Sequence, residues 1–168
     1  MAQKSTVPVI RSRKVADGAD PLVMLTAYDA PGARMVDEAG ADLILVGDSV
    51  AMVVLGYEDT LQVTVADIAH HTAAVARTRP NALIVADLPC MSYHVSVEET
   101  VRNAATLIRA GAQSVKLEGG RRRLPMIEAL IARMRGMPSS ECQVSKSECQ
   151  LKPLPWKPNL SLMRDWWM

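Results

Sequence analysis

Short, unbroken apolar runs alternate with longer stretches of helical period through residues 21–134. Leu43-Ile44-Leu45-Val46, between Gly40 and Gly47, is too short for a helix and has the pattern of a strand buried on both faces. The same reading makes 21–29 (PLVMLTAYD) a first buried strand, Ala82–Ala86 a third and Gln113–Leu117 a fourth. Helices fill the intervals. Ala30 to Gly40 has Asp29 as cap, Pro31 in its first turn, and Met35, Val36 and Ala39 at helical spacing. Thr64 and Asp67 form a capping-box pair opening a helix through Ala76, with Val65, Ile68, Ala69, Thr72 and Val75 inward. Ser96 and Glu99 form another, before a helix with Val101, Ala105 and Ile108 on one side and Gly111 at its end. Leu124–Met134 is a fourth helix, with Pro125 in its first turn. Residues 48–62 read as a loop, and residues 1–20 as a short helix or a loosely held arm. The order β-α-β-α-β-α-β-α predicts an α/β fold of parallel strands joined by right-handed crossovers.

This periodicity stops between Arg133 and Pro138. All three tryptophans (Trp156, Trp166, Trp167) and two of the three cysteines (Cys142, Cys149) lie beyond it. The expected division is therefore an ordered unit over 1–134 and a divergent, poorly ordered tail over 135–168. With 168 residues the chain has enough length for one domain with a real core. A hydrophobic content of 49% and a charged content of 22% are those of a soluble globular protein. The net charge of +1 gives no electrostatic case for nucleic acid or an anionic membrane. The apolar runs are shorter than a bilayer span and the N-terminus lacks a secretory h-region. The scattered cysteines, Cys90 included, suit a reducing compartment, so the expected location is cytoplasmic. Cys142 and Cys149 lack the tight spacing of a zinc site.

Chemistry concentrates where the strands end. Tyr28 and Asp29 follow the first, Asp48 and Ser49 the second, Asp87 the third, and Glu118 the fourth, two residues past Lys116. In a parallel sheet or barrel these exits share one face. Several carboxylates converging there repel unless a cation sits among them. Oxygen ligands with no matching His or Cys favour Mg²⁺ or Mn²⁺. Lys116 and Glu118 alternate onto the same side, which offers a positive charge to an anionic substrate. The competing reading has these acids capping helices and pairing with Lys116 and arginines. His70 and His71 diverge on one helix, and Arg121-Arg122-Arg123 reads as a solvated basic turn. His94, beside Tyr93, lies on the loop after strand three, and Met52, Val53 and Val54 are apolar residues on an exposed loop.

Five ordered blocks add a resemblance. LTAYD (25–29), LVGDSVAMVVLGYEDTLQVT (45–64), HHTAAV (70–75), ADLPCMSY (86–93) and RNAATLIRAGAQSVKLEGG (102–120) are together similar to the 3-methyl-2-oxobutanoate (ketopantoate) hydroxymethyltransferase family, over about residues 20–132. The resemblance implies a (β/α)₈ TIM barrel of the phosphoenolpyruvate/pyruvate superfamily and a decamer-like homo-oligomer. It also implies transfer of a hydroxymethyl group from 5,10-methylenetetrahydrofolate to 3-methyl-2-oxobutanoate, giving 2-dehydropantoate on the route to pantothenate. Position by position, it makes Asp48, Asp87 and Glu118 the Mg²⁺ site, and Asp48, Ser49, Asp87 and Lys116 the contacts of the 2-oxo acid. Cys90 stands where the family carries a bulky aromatic residue.

A whole barrel takes about 250 residues, whereas the pattern here supplies four strand-helix units. The family's glycine-histidine-leucine segment and its later general-base glutamate have no counterpart in the sequence. The expectation is thus a partial barrel with an irregular tail, no catalytic base of its own, and little or no turnover. Two other readings stay open: a different Mg²⁺-dependent 2-oxo-acid lyase or mutase of the superfamily, and an inactive fragment that only associates with full-length subunits.

Overall fold

Parallel pairing of short apolar strands organises the protein. The architecture is that of a computed structural model, whose described residues are 4–14, 17–134 and 143–144. The elements are α1 (Val7–Ser12), β1 (Met24–Thr26), α2 (Ala30–Glu38), β2 (Leu43–Val46), α3 (Val50–Val53) and α4 (Val65–Ala76). They continue with β3 (Leu83–Asp87), α5 (Val97–Arg109), β4 (Ser114–Lys116), a 3₁₀ turn (Gly120–Arg123), α6 (Leu124–Met134) and β5 (Gln143–Val144). The sheet order is β1-β2-β3-β4-β5, and every pair is parallel. Strands that follow chain order with helical crossovers wind in one direction, as in a (β/α) barrel; a doubly wound sheet reverses its order midway.

Alternating side chains divide the sheet into two faces. Ile44, Val46, Ile84, Ala86 and Val115 join the larger core, together with Ile68, Leu107 and Leu130 from the helices. Leu43, Leu83 and Val85 form a second cluster with Val7 of α1, and Ile10 and Leu45 pack against it. So α1 covers part of the face that the other helices leave free. It is tied down, since Ser5 N–H donates to Asn81 O at 2.7 Å and Arg13 pairs with Asp42. Of the two readings for the N-terminal residues, the short helix is the one observed.

The caps place the helices. Asp29 accepts from Gly32 N–H, Thr64 and Asp67 exchange both bonds of the capping box, and Ser96 accepts from Glu99 N–H. The Thr64 hydroxyl and backbone hold the Asp67 carboxyl below its usual range. The expected burial of the first strand needs correction. The first strand is not buried: Val23, Met24 and Leu25 are 49%, 46% and 42% exposed, because β1 pairs only with β2 among the described residues and lies at the sheet edge. On α2, Met35 is 71% exposed and Ala33 is the buried residue. On α5 Thr100, Ala104 and Leu107 are fully buried, and the predicted side, Val101, Ala105 and Ile108, is half-buried beside them, with Val101 and Ile108 packed against the core. Both triplets have the same spacing; Thr100 is admitted to the core because its hydroxyl donates to Ser96 O at 2.7 Å. Within the predicted loop, Val50–Val53 forms one helical turn. The predicted tail lies outside the described residues, apart from β5, which adds a parallel partner to β4.

Gly40 and Gly111 follow the last turns of α2 and α5 with φ of 82° and 113°. A Cβ on Gly40 meets nothing within 4 Å, but one on Gly111 comes 2.4 Å from Ala76 Cβ. Urea unfolding should show Gly40→Ala costing about 1 kcal/mol and Gly111→Ala about 2–4 kcal/mol. Equal costs would refute the close approach of α5 to α4.

Candidate functional site

The strand register brings the polar exits to one rim. Thr26 lies opposite Leu45, Val46 opposite Ala86, and Asp87 opposite Lys116. Tyr28, Asp48 and Glu118 therefore follow within two residues of the same C-terminal edge. Asp87 ends the column Leu83–Val85–Asp87 on the face whose lower part is covered by α1. Its side chain is only 3% exposed.

Lys116 Nζ donates to Asp87 Oδ2 at 2.9 Å and also to Glu118 Oε1. The Asp48 backbone N–H approaches the same Asp87 oxygen at 3.4 Å. Burial pushes the Asp87 carboxyl up to about 6, against the hydrogen bond and charge of Lys116, and the nearby Asp48 carboxylate adds to the rise. Burial acts on Lys116 in the opposite sense, yet Glu118 and Asp87 outweigh it and hold the ammonium above its ordinary value. The carboxylate has lost more solvent than its partner, so Lys116 is firmly charged and Asp87 is the group near titration.

A second set of contacts flanks this pair. Tyr28 Oη lies 2.8 Å from Ser49 Oγ, and Tyr28 O accepts from His71 Nδ1 at 2.7 Å. On the other side the Arg123 guanidinium lies 5.7 Å from the Tyr93 ring centroid. Burial, followed by the Glu118 and Asp87 charges, raises the Tyr93 hydroxyl above its usual value. His94 stacks on Tyr93 at 4.3 Å, its Nδ1 is buried with no hydrogen-bond partner among the described residues, and desolvation with Arg123 lowers its proton affinity.

All five residues singled out for binding (Asp48, Ser49, Asp87, Lys116, Glu118) thus lie at one end of the sheet. Asp87, Lys116 and Glu118 are joined directly, and Asp48 reaches Asp87 through its backbone. Among the described residues no three His, Cys, Asp or Glu side chains form a group that could hold an ion. Glu118 is 53% exposed and paired with Lys116. Asp48 and Asp87 alone still suit Mg²⁺, which takes one or two carboxylates and completes its shell with water and substrate oxygens. His70 is exposed while His71 binds backbone, so the two do not act as a ligand pair. The tie of His71 to Tyr28 was not legible from sequence, because it joins residues 43 positions apart.

A parallel (β/α) unit with a charged rim at its strand C-termini defines a TIM-barrel half. It resembles solved structures of oxaloacetate acetylhydrolase (19% identity, TM-score 0.57, 79% of this chain and 49% of that one). It also resembles 2,3-dimethylmalate lyase, of the PEP mutase/isocitrate lyase superfamily (20%, TM-score 0.54, 75% and 48%). Residues 4–138 match the family model of ketopantoate hydroxymethyltransferase, and the chain belongs to that family. It is 60% identical over 112 residues to the 3-methyl-2-oxobutanoate hydroxymethyltransferase of Ignicoccus hospitalis, covering 67% of this chain and 43% of the relative. To the Bacillus subtilis enzyme it is 53% identical over 118 residues, covering 70% and 43%. The chain spans less than half the length of these relatives.

The raised Asp87 carboxyl fixes a sign. The folded chain holds that proton more tightly than the unfolded chain does, so stability falls as pH rises from 3.8 to about 6. Without divalent ions, urea midpoints should decline across that window, and Asp87→Asn should flatten the decline. An unchanged slope in the variant would show that Asp87 is not the titrating group.

Proposed function

We propose that this chain carries the 2-oxo-acid and metal-binding half of a ketopantoate hydroxymethyltransferase. The reaction served is hydroxymethyl transfer from 5,10-methylenetetrahydrofolate to 3-methyl-2-oxobutanoate. The observation carrying this reading is the buried Asp87 carboxylate, held by one ammonium from Lys116 and approached by the Asp48 backbone at the strand C-termini. A buried acid with one cationic partner among the described residues and a second acid beside it favours another positive charge.

Asp48 and Asp87 would hold Mg²⁺, with Glu118 bordering the site. Bound there, the ion supplies a Lewis acid that polarises a keto oxygen and favours loss of the proton on the adjacent carbon. With such an ion held beside Asp87, the Lys116 ammonium would be free to pair with the substrate carboxylate. Ser49 donates its hydroxyl to a substrate oxygen. The column below Asp87 (Leu83 and Val85) is buried and apolar, which keeps bulk water from beneath the reacting group. No residue named here accepts the proton from the substrate carbon; that role falls to a general base beyond this set. The contribution of these residues is therefore binding and polarisation.

Calorimetry with 3-methyl-2-oxobutanoate should show binding that depends on Mg²⁺. Asp87→Asn should weaken it about a hundredfold, since truncating one partner of a buried charge pair leaves the other charge unmatched. Equal binding by wild type and variant would overturn the assignment.

A further inference from the structure

Ser49 stands at the N-cap of α3, where serine ordinarily turns its hydroxyl onto the first turn of the helix. Here it does not: the cap makes no side-chain hydrogen bond. Its backbone carbonyl still receives Met52 N–H at 3.1 Å and Val53 N–H at 3.0 Å, so the turn is formed without the hydroxyl. The hydroxyl instead meets Tyr28 Oη at 2.8 Å.

Tyr28 is itself fixed from three sides. Ala27 N–H donates to Leu45 O at 3.1 Å, continuing the β1–β2 ladder. Asp29 is committed to Gly32 N–H at the head of α2. The Tyr28 carbonyl is 2.7 Å from His71 Nδ1 on α4. A carbonyl only accepts, so Nδ1 carries the proton and the imidazole is locked in that sense. The backbone around Tyr28 is thus held by β2, α2 and α4 together, and its hydroxyl meets one serine, Ser49, beside Asp48.

Resting on the function proposed above, we infer that Tyr28 is a positioning residue for the 2-oxo acid. It donates its phenolic proton to Ser49 Oγ, which leaves the serine's own proton directed at a substrate oxygen. The phenol is the more acidic of the two hydroxyls and the serine oxygen the better acceptor, so the proton order follows from their chemistry. His71 acts one step further back, by holding the tyrosine backbone.

A double-mutant cycle tests this on the 168-residue chain with Tyr28→Phe, Ser49→Ala and both together. The probes are Mn²⁺ binding by electron paramagnetic resonance and 3-methyl-2-oxobutanoate binding to the Mn²⁺-loaded chain. Each single change should weaken keto-acid binding about three- to tenfold, the worth of one hydrogen bond. The double variant should be no weaker than Ser49→Ala alone, and Mn²⁺ affinity should stay within about twofold throughout. Multiplying penalties, or a Tyr28→Phe chain that binds keto acid like wild type, would overturn the positioning role. A wild-type chain that bound no keto acid would instead overturn the function on which it rests. The same cycle read by urea unfolding of the unliganded chain then decides the Tyr28–Ser49 bond alone: coupling upholds it and additivity overturns it.

Discussion

One ammonium serves two carboxylates at the rim of this sheet. Lys116 donates to buried Asp87 and to half-exposed Glu118, and the balance between them governs the local electrostatics. Asp87 loses nearly all its water, with Asp48 nearby to disfavour its charge further. A carboxylate in that position persists only with a cation, and Lys116 is its ion-pair partner in the structure. The arrangement is suited to exchange. Were a divalent ion held by Asp48 and Asp87, as proposed, Lys116 would be free for an anionic substrate without leaving a buried charge unmatched.

Placing that lysine opposite that aspartate is work done by the whole fold. Asp87 and Lys116 are register partners in adjacent parallel strands, so their side chains leave the sheet on the same face. The register in turn depends on apolar residues buried on both sides of β2 and β3, where a one-residue slip would exchange Leu83 and Val85 for Ile84 and Ala86. Helix α1 fills the lower part of the rim-bearing face and leaves its upper end to the polar groups. The tight approach of α5 to α4 at Gly111 and Ala76 sets the spacing of the layer behind.

Much of this is legible in the residues, and the failures have physical causes. β2 and β3 have runs without polar interruption and the structure places both where that pattern requires. The capping pairs at Thr64 and Ser96 mark helix starts through local bonding, which needs no tertiary information. Burial is different. The run Val23-Met24-Leu25 has the composition of a core strand, yet lies at an edge because exposure depends on which neighbour follows in space. On α5 the predicted side packs against the core, but the burial of Thr100 beside it escapes, since a threonine that satisfies its own hydroxyl substitutes for an aliphatic residue. At the site, the identity of the strand-exit residues is visible in sequence, along with the shared side of Lys116 and Glu118. The Tyr28–Ser49 and Tyr28–His71 contacts are not, because each joins polar groups far apart in the chain through geometry alone.

If Asp48 and Asp87 hold a divalent ion as proposed, that ion and Lys116 share the neutralisation of Asp87. Anomalous diffraction from crystals grown with Mn²⁺ and 3-methyl-2-oxobutanoate addresses it directly. The expected result is manganese ligated by Asp48 and Asp87, with Lys116 Nζ moved from Asp87 onto the keto-acid carboxylate. Manganese bound elsewhere, with the Lys116–Asp87 pair intact beside an empty rim, would contradict it.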